Sequence, residues 1–332
     1  MRVIFVCLCA LLAGCGSTSS LVKVRIANAG PGLQMFCLPL PLAQELGFFK
    51  EEGLQVDLQA LPSVGKSLQA LIGGSVDVAG VSYAQTLQVA VDGQRLRSFF
   101  IMTRRGSNTI LVAPAATERI RRAEDMKGAL LGVSSHGSSS HLFANYYLAA
   151  HGVQPGDVRT VGIGLGAPAM VAIESGQIDA AVVTGGEQFR LLRRHPKLRI
   201  LIDSSTTEGM REVYGGDVYA SGAVTARPEW LEKNPDTARR LARALERTHK
   251  WLAAHTPEEI RERLPEGFRS DDASMDIAII RWGIGGLTAD GRMPAGAPEA
   301  MRRYVAATIE NVRNAKIDLA ATWTNEYLSA GR

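Results

Sequence analysis

Apolar and polar positions alternate along most of the chain in two successive series. Short apolar runs occupy residues 24–27, 56–61, 76–81 and 96–102. A second series occupies residues 109–113, 130–134, 158–163, 178–184 and 198–202. Stretches with helical spacing separate the runs, and this strand–helix rhythm is typical of βαβ units. The pattern therefore predicts an α/β protein with two sheets.

The remainder of the chain, from about Pro228, is predicted to be mostly helical. The pair Asn234-Pro235 is a start signal for a long helix that runs to Ala254. Further helical patterns lie near residues 272–282, 298–314 and 322–328. We expect this region to contribute helices rather than strands.

Two segments resemble each other at an offset of 102 residues, namely residues 65–82 and 167–184. Among the matching positions, Gly74 corresponds to Gly176 and Asp77 to Asp179. Each segment is predicted to form a helix, a glycine turn and a buried strand that ends in a hydroxyl side chain. Two related lobes would explain the match. The alternative is that it reflects only the helix–turn–strand pattern common to all αβ units. In the first interpretation the carboxyl edges of two sheets, where open α/β folds bind ligands, face one cleft.

The first residues have the pattern of an export signal. Arg2 precedes an uncharged run, residues 3–13, which is too short to span a bilayer as a helix. The sequence LAGC at residues 12–15 resembles a bacterial lipobox, so we expect cleavage after residue 14 and lipidation of Cys15. The alternative is an ordinary secreted leader. Residues 15–21 would then be a lipidated tether, with the fold beginning near Val22.

Composition narrows the class of protein. The chain has 332 residues, 46% of them hydrophobic, which excludes disorder and suggests two domains at about 150 residues each. A net charge of +4, from 37 basic and 33 acidic residues, is too mild for a nucleic-acid-binding surface. Cleavage would remove Cys7 and Cys9 and leave Cys37 as the only cysteine free to pair. We therefore expect no internal disulfide.

A serine-rich segment, residues 134–141, is the clearest candidate site. Its sequence SSHGSSSH follows a predicted strand and precedes the apolar helical stretch 142–150. Backbone N–H groups at a helix start, reinforced by hydroxyls, favour an anion such as a carboxylate, sulfonate or nitrate. Ordinary N-capping by one serine is the alternative. Five serines exceed what one cap requires, so we expect contact with a ligand.

Three other loops lie at predicted strand ends, at residues 62–66, 82–85 and 184–187. Lys66 is a candidate ion-pair partner for an anionic ligand, unless it is solvated. Tyr83 is a candidate for stacking or hydrogen bonding, unless it only packs between domains. Glu187 favours an amine, amide or hydroxyl, so a bifunctional ligand fits as well as an oxyanion. Arg104 and Arg105 stand where the chain is expected to cross between the lobes.

Signatures of enzymes are weak. Residues 162–167 match the dinucleotide pattern G-x-G-x-x-A. Ribose binding requires an acidic residue at the end of the next strand, however, and Asp179 stands at the start of that strand. The six histidines have no zinc-type spacing with a third ligand, and there is no G-x-S-x-G nucleophile elbow. We expect no enzymatic activity, no cofactor and no metal.

Several motifs together resemble one family, the solute-binding proteins of nitrate, sulfonate and taurine ABC importers, which also includes binders of thiamine precursors. The segment LPLAQELGFFKEEGL at residues 40–54 is similar to the family's A-x-E-x-G-F-F-x-x-E-G-L. Four further segments match in family order: GSVDVA (74–79), DMKG (125–128), GVSSHGS (132–138) and WLEKNPD (230–236). The similarity covers roughly residues 24–256. It is specific for the family and not for the ligand.

The resemblance implies a two-lobed periplasmic-binding-protein fold of type II, with doubly wound sheets, a central ligand cleft and C-terminal helices. Lobe I would comprise residues 22–107 and 222–332, and lobe II residues 108–221. Hinge closure would bury the ligand. The family's binding positions correspond here to Phe36, Leu38, Ser63, Gly65, Lys66, Ser82, Tyr83, Ser135, His136, Gly137, Ser138, Ser139, Thr184 and Glu187.

The resemblance also implies the biological setting. We expect a monomeric, lipid-anchored receptor in the periplasm or on the outer face of the cytoplasmic membrane. It would deliver a small polar or anionic molecule to the permease subunits of an ABC importer, and it would not bind nucleic acid. The alternatives are a binder of a thiamine-precursor-like heterocycle, an exported α/β enzyme and a signalling adaptor. The cysteine-rich segment of the family's thiamine-precursor synthases is missing from the sequence.

Overall fold

The structure is a computed structural model that describes residues 20–29, 33, 35–62, 64–164, 167–217 and 219–330. Several predictions fall outside these ranges: the export signal, the lipobox with Cys15, most of the tether, the candidate binding residue Ser63, and residues 165 and 166 of the dinucleotide pattern. The strands are β1 (Val22–Ala29), β2 (Leu54–Leu61), β3 (Val78–Ser82), β4 (Arg97–Ile101), β5 (Asn108–Val112), β6 (Leu130–Val133), β7 (Arg159–Gly162), β8 (Ala180–Thr184), β9 (Arg199–Asp203) and β10 (Gly222–Ala226).

The helices cover both faces of the sheets and the C-terminal region. They are α1 (Pro39–Glu45), α2 (Phe48–Glu51), α3 (Val64–Ile72), α4 (Tyr83–Ala90), α5 (Ser139–Ala150), α6 (Ala167–Glu174), α7 (Gly185–Arg194), α8 (Thr207–Tyr214), α9 (Pro228–Lys233), α10 (Pro235–Ala254), α11 (Pro257–Glu262), α12 (Ala273–Ile284), α13 (Ala297–Thr308) and α14 (Glu310–Asn314). Within the described ranges, no helix is long and apolar enough to cross a membrane.

The two sheets have the same layout. The first has the order β2-β1-β3-β10-β4 and the second β7-β6-β8-β5-β9. In each, three parallel strands are followed by an antiparallel strand that pairs with its neighbours on both sides. The repeated segments form α3 with β3 and α6 with β8, which occupy equivalent places in the two sheets. The two predicted sheets are therefore present, and their shared topology supports the interpretation of two related lobes.

We use the names lobe I and lobe II for the first and second sheet, each with the helices that pack on it. The chain leaves lobe I after β4 and returns to it at β10. The strands β3, β5 and β10 are buried along their whole length, because helices cover both faces of each sheet.

Helices from the C-terminal region contact both lobes. Helix α13 packs between α4 and α5, where Met301 and Tyr304 join a hydrophobic cluster that includes residues of both sheets. Helix α12 packs against α7, and its fully buried Asp276 lies 3.8 Å from the Arg190 guanidinium. Near the start of the same helix, Arg193 donates to the Ser274 hydroxyl over 2.7 Å. The lobes are thus joined by helix packing as well as by the chain crossings.

One predicted helix is wrong. Residues 323–328 form no helix, although their spacing is helical, and Thr322 is only the last residue of the short 3-10 helix Leu319–Thr322. Trp323 instead forms an isolated β-bridge with Ser98, and the Thr324 N–H donates to the Ser98 carbonyl over 2.9 Å. Pairing with the edge of β4 satisfies backbone groups that a helix would have satisfied internally, so tertiary contacts outweigh the local preference.

Candidate ligand-binding site

A cavity lined mainly by polar residues lies between the two lobes, with about 680 Å³ of empty space, part of which is open to solvent. We call it the hydroxyl chamber. Parts of the chain from both lobes surround it, including the ends of β3 and β8, the loop before α5 and the start of β5. It is lined by Phe36, Val64, Gly65, Ser82, Ser107, Asn108, Ser134, Ser135, Ser138, Ser139, Ser140, Thr184, Tyr219 and Ser221.

The serine-rich loop forms one wall of this chamber. The hydroxyls of Ser134, Ser138 and Ser140 lie 2.9 Å from one another, and the Ser138 hydroxyl also accepts a hydrogen bond from the His141 N–H. These three side chains therefore build the loop and cap α5. The hydroxyls of Ser135 and Ser139 make no hydrogen bond within the described part of the chain. The loop therefore caps α5 and also presents to the cavity two hydroxyls left unpaired in that part of the chain.

Two histidines of the serine-rich segment form hydrogen bonds that hold the loop in place. The Gly137 N–H donates to Nδ1 of His141 over 3.0 Å, and Nε2 of His136 lies 3.2 Å from the Thr160 hydroxyl. The imidazole rings are nearly perpendicular, with centroids 5.5 Å apart. Burial lowers the pKa of His141, and the neighbouring His136 lowers it further. Neutral His141 can accept the Gly137 hydrogen bond, which helps to hold the loop in place.

A second cavity adjoins the hydroxyl chamber and shares Phe36, Ser107 and Thr184 with it. We call it the tryptophan chamber, and it has about 460 Å³ of empty space, part of which is open to solvent. Its other lining residues are Met35, Thr103, Arg105, Gly106, Gly185, Ser205, Trp282, Gly283 and Gly286. The Trp282 indole N–H donates to the Ser205 hydroxyl over 3.0 Å, which fixes the ring in the wall. The two chambers together form a cleft with one polar end and one mostly apolar end.

Charged groups are scarce in this cleft. None of the residues that line the hydroxyl chamber is charged, and Arg105 is the one charged residue among those lining the tryptophan chamber. Arg105 is exposed, so it stands at the rim rather than in the interior. A molecule in this cleft would therefore contact mainly hydroxyls, amides and apolar side chains.

The structure brings together half of the binding residues predicted from sequence. The hydroxyl chamber includes Phe36, Gly65, Ser82, Ser135, Ser138, Ser139 and Thr184. The others lie outside its lining: Leu38, Lys66, Tyr83, His136, Gly137 and Glu187. Gly137 and the exposed His136 belong to the serine-rich loop, and Lys66 is exposed on α3.

The remaining three residues are occupied by contacts within the protein. Leu38 is fully buried in an apolar cluster. The Tyr83 hydroxyl lies 2.7 Å from the Thr322 hydroxyl and is buried. Glu187 accepts hydrogen bonds from the Thr184 N–H at 3.0 Å and the Thr184 hydroxyl at 3.3 Å, so it caps the start of α7. These contacts explain why the three residues do not line the cleft.

Sequence reasoning missed several lining residues. Ser107, Asn108, Tyr219 and Ser221 lie where the chain crosses between the lobes, far from any strand-to-helix turn. The crossing at Arg104 and Arg105 was the available signal, because groups at a hinge face the cleft between the lobes. The sequence pattern predicts Trp282 as the last residue of a helix. The glycines at positions 283, 285 and 286 are the one local signal that the chain beside it leaves space for a cavity.

The dinucleotide pattern has a different setting from that required for a cofactor. Asp179 accepts a hydrogen bond from the Leu130 N–H over 2.8 Å and pairs with Arg119 at 2.6 Å. It therefore lies at the amino end of β8 in a structural role. No group of three or more His, Cys, Asp or Glu side chains within the described ranges could hold a metal ion.

Comparison with known families decides the classification. The profile of the NMT1/THI5-like family matches residues 36–260, which is more than half of the chain. The chain belongs to the NMT1/THI5-like family. This finding confirms the family resemblance identified from the sequence motifs.

Individual relatives support the same placement. A solved structure from Bordetella bronchiseptica RB50 is 34% identical, with a TM-score of 0.85, and the match covers 93% of this chain and 96% of that one. YtlA of Bacillus subtilis (strain 168), named as a binding protein, is 26% identical over 275 residues, which is 80% of this chain and 76% of YtlA.

A third relative establishes the fold. The periplasmic aliphatic sulphonate binding protein SsuA from Escherichia coli has a TM-score of 0.70 at 19% identity, with coverage of 93% of this chain and 99% of SsuA. The predicted two-lobed periplasmic-binding-protein fold is thereby confirmed. YtlA and SsuA are both named as binding proteins, which agrees with the expectation that this chain is not an enzyme.

Proposed function

We propose that this protein is an extracytoplasmic solute receptor of an ABC importer. The observation that carries the proposal is the hydroxyl chamber, which is lined from both lobes and offers Ser135 and Ser139 hydroxyls without a partner in the described protein. A cavity between two lobes is buried when the lobes close, and a permease then distinguishes the loaded receptor from the empty one. The named binding proteins among the relatives support this function.

We further propose that the two lobes move as hinged units, with lobe I comprising residues 22–107 and 222–332 and lobe II residues 108–221. The contacts of α12 with α7 and of α13 with α5 would be made or strengthened as the cleft closes. In this proposal the C-terminal helices belong to lobe I and contact lobe II across the cleft.

The setting follows from the leader and the relatives. We propose a periplasmic location, or the outer face of the cytoplasmic membrane, with lipid attached at Cys15. The permease subunits of the importer are the expected partners, and the receptor is expected to be a monomer. The ligand is a small polar or anionic organic molecule of the sulfonate, nitrate, taurine or carboxylate type. A thiamine-precursor-like heterocycle is the alternative, which the Phe36 and Trp282 rings in the lining of the tryptophan chamber favour.

A thermal-shift screen tests the receptor function. Nitrate, taurine, alkanesulfonates, aromatic carboxylates and aminopyrimidines are compared, since a ligand that binds the folded state raises Tm in proportion to RT ln(1 + [L]/Kd). We expect one class to raise Tm in the native protein and less in Ser139→Ala, which removes a hydroxyl from the chamber. Ser175→Ala is the matched control, because Ser175 is exposed and bonds only the nearby Ala172 carbonyl. Catalytic turnover of a compound from the screen would favour an exported enzyme instead.

A further inference from the structure

Asn108 has an unusual position in the hydroxyl chamber. Its side chain is 95% buried, and its side-chain oxygen has no hydrogen-bond partner in the described protein. The backbone N–H of Asn108 donates to the Ser204 hydroxyl, and its carbonyl accepts from the Ser204 N–H over 3.0 Å. The main chain is therefore satisfied, while the carboxamide oxygen of this chamber-lining residue is not. A buried polar group without a partner costs free energy, which a ligand can recover by bonding to it.

The residues that line the hydroxyl chamber around Asn108 are all uncharged. Asn108 stands opposite Thr184 in the antiparallel register of β5 and β8, and both residues line the chamber. A carboxamide carries an acceptor oxygen beside a donor nitrogen. Its best complement is a group that also has a donor and an acceptor side by side, because two parallel hydrogen bonds can then form.

Charge gives a second, independent constraint. A bare oxyanion offers only acceptors, and the hydroxyl chamber has no cationic side chain in its lining. The exposed Arg105 stands at the rim of the other chamber. A neutral head group thus suits the buried end of the cleft, and any anionic group of the ligand would lie at the opposite end.

The tryptophan chamber offers an apolar surface for the rest of the ligand. Met35, Phe36 and the Trp282 indole provide apolar surface directly beside the hydroxyl chamber. Gly185 and Gly283 leave room for the Trp282 and Met35 side chains. A planar apolar body attached to the head group would contact these side chains and bury them from water.

We propose that the ligand has a neutral, planar carboxamide or urea head, whose N–H donor and carbonyl acceptor are adjacent, joined to a flat apolar body. This inference rests on the proposed receptor function and names the ligand class for that site. The head bonds Asn108 and the serines, and the body lies in the tryptophan chamber. Nitrate, one of the ligand types in the proposed range, has neither an N–H donor nor an apolar body, so this inference narrows that range to organic ligands.

Matched compounds separate the contributions of head and body. Benzamide and benzenesulfonate share a ring and differ in the head, whereas acetamide has the head of benzamide without the ring. Calorimetry and thermal shift with the native protein should show benzamide binding at least about tenfold more tightly than either of the others. Tighter binding of benzenesulfonate, or of nitrate, would overturn the proposal while leaving the receptor function intact.

Two substitutions test the role of Asn108 directly. Asn108→Leu should weaken benzamide binding by about tenfold or more, because both hydrogen bonds are lost. Asn108→Asp keeps an acceptor oxygen, so it should retain part of the affinity for benzamide while excluding anionic heads. Asn314→Leu and Asn314→Asp are the controls, since Asn314 is exposed at the end of α14.

Each remaining outcome is decisive. Unchanged benzamide affinity in Asn108→Leu would remove Asn108 from the site and overturn the proposal. No binding of benzamide to the native protein would also overturn it, and the broader screen would still decide whether the protein is a receptor. If both Asn108 variants fail to fold, the comparison of benzamide with benzenesulfonate on the native protein gives the answer.

Discussion

Gly185 and Trp282 fit against each other where α7 of lobe II meets α12. A Cβ atom built on Gly185 would lie 2.6 Å from Cζ3 of the Trp282 indole, well inside van der Waals contact. The indole can therefore take its place in the cleft wall only because this position has no side chain. The pair also connects the cleft with the packing between the lobes, since both residues line the tryptophan chamber.

Gly185→Ala should push α12 away from α7. Overpacking at a tight contact costs about 1–3 kcal/mol, so we expect a lower free energy of unfolding in urea. We also expect a larger radius of gyration by small-angle X-ray scattering, because the lobes are separated. Gly216→Ala is the control, since no atom lies within 4 Å of its added Cβ and its φ is ordinary. Equal behaviour of the two variants would contradict the role of this contact.

The hydrogen bond from the Gly137 N–H to His141 should respond to pH. Protonation of Nδ1 removes the acceptor, so the amide's protection factor against hydrogen exchange should fall as pH decreases through the pKa of His141. That pKa is lowered by burial and then by His136, so the bond should persist below the pKa of an ordinary histidine.

His136→Gln supplies the matched test. Removing the repulsion from His136 should raise the pKa of His141, so the loss of protection should begin at higher pH than in the native protein. NMR-detected exchange at Gly137, normalised to the intrinsic rate at each pH, measures this onset. An onset that does not move would show that His136 does not influence the loop.

His249 should make the protein sensitive to acid. Burial lowers its pKa from 6.5 to about 4, and Nδ1 lies 2.8 Å from the Thr288 carbonyl. Above pH 6.5 the imidazole is neutral in both states and adds no pH dependence. Between pH 6.5 and about 4 the unfolded chain binds the proton first, so stability falls by up to about 1.4 kcal/mol per pH unit.

His249→Asn tests this sensitivity while keeping a donor near the Thr288 carbonyl. Urea denaturation at pH 7 and pH 4.5 should show a smaller loss of stability for the variant than for the native protein. His255→Asn is the control, because His255 is only half-buried and makes a similar bond to the Trp251 carbonyl. A native-like pH dependence in His249→Asn would exclude this histidine as the cause.

The lipid anchor gives a prediction in cells. Cys15→Ala removes the thiol that would carry lipid, so the protein should move from the membrane fraction to the soluble extract. Fractionation followed by immunoblotting measures the distribution. A Ser17→Ala variant should stay with the membrane. Retention of Cys15→Ala on the membrane would contradict the interpretation of residues 12–15 as a lipobox.

Local sequence determined the elements that carry the fold. Periodicity predicted the strands β1 to β9 and the long helix α10, because apolar spacing reports directly which face of an element is buried. It missed β10, the strand by which the chain re-enters the first sheet. The motif order predicted the family. The serine-rich loop was also predictable, since strand-to-helix turns at the carboxyl edge of a sheet are where such folds bind ligands.

Tertiary structure alone decided which polar residues serve the site. Glu187 and Tyr83 stand at the predicted strand ends, yet Glu187 caps α7 and the Tyr83 hydroxyl pairs with Thr322. Asn108 and Trp282 come from distant parts of the chain and meet at one cleft only after the lobes pack together. Spacing along a sequence describes neighbours within an element. The partner that a polar side chain finds depends on contacts between elements, which no local pattern contains.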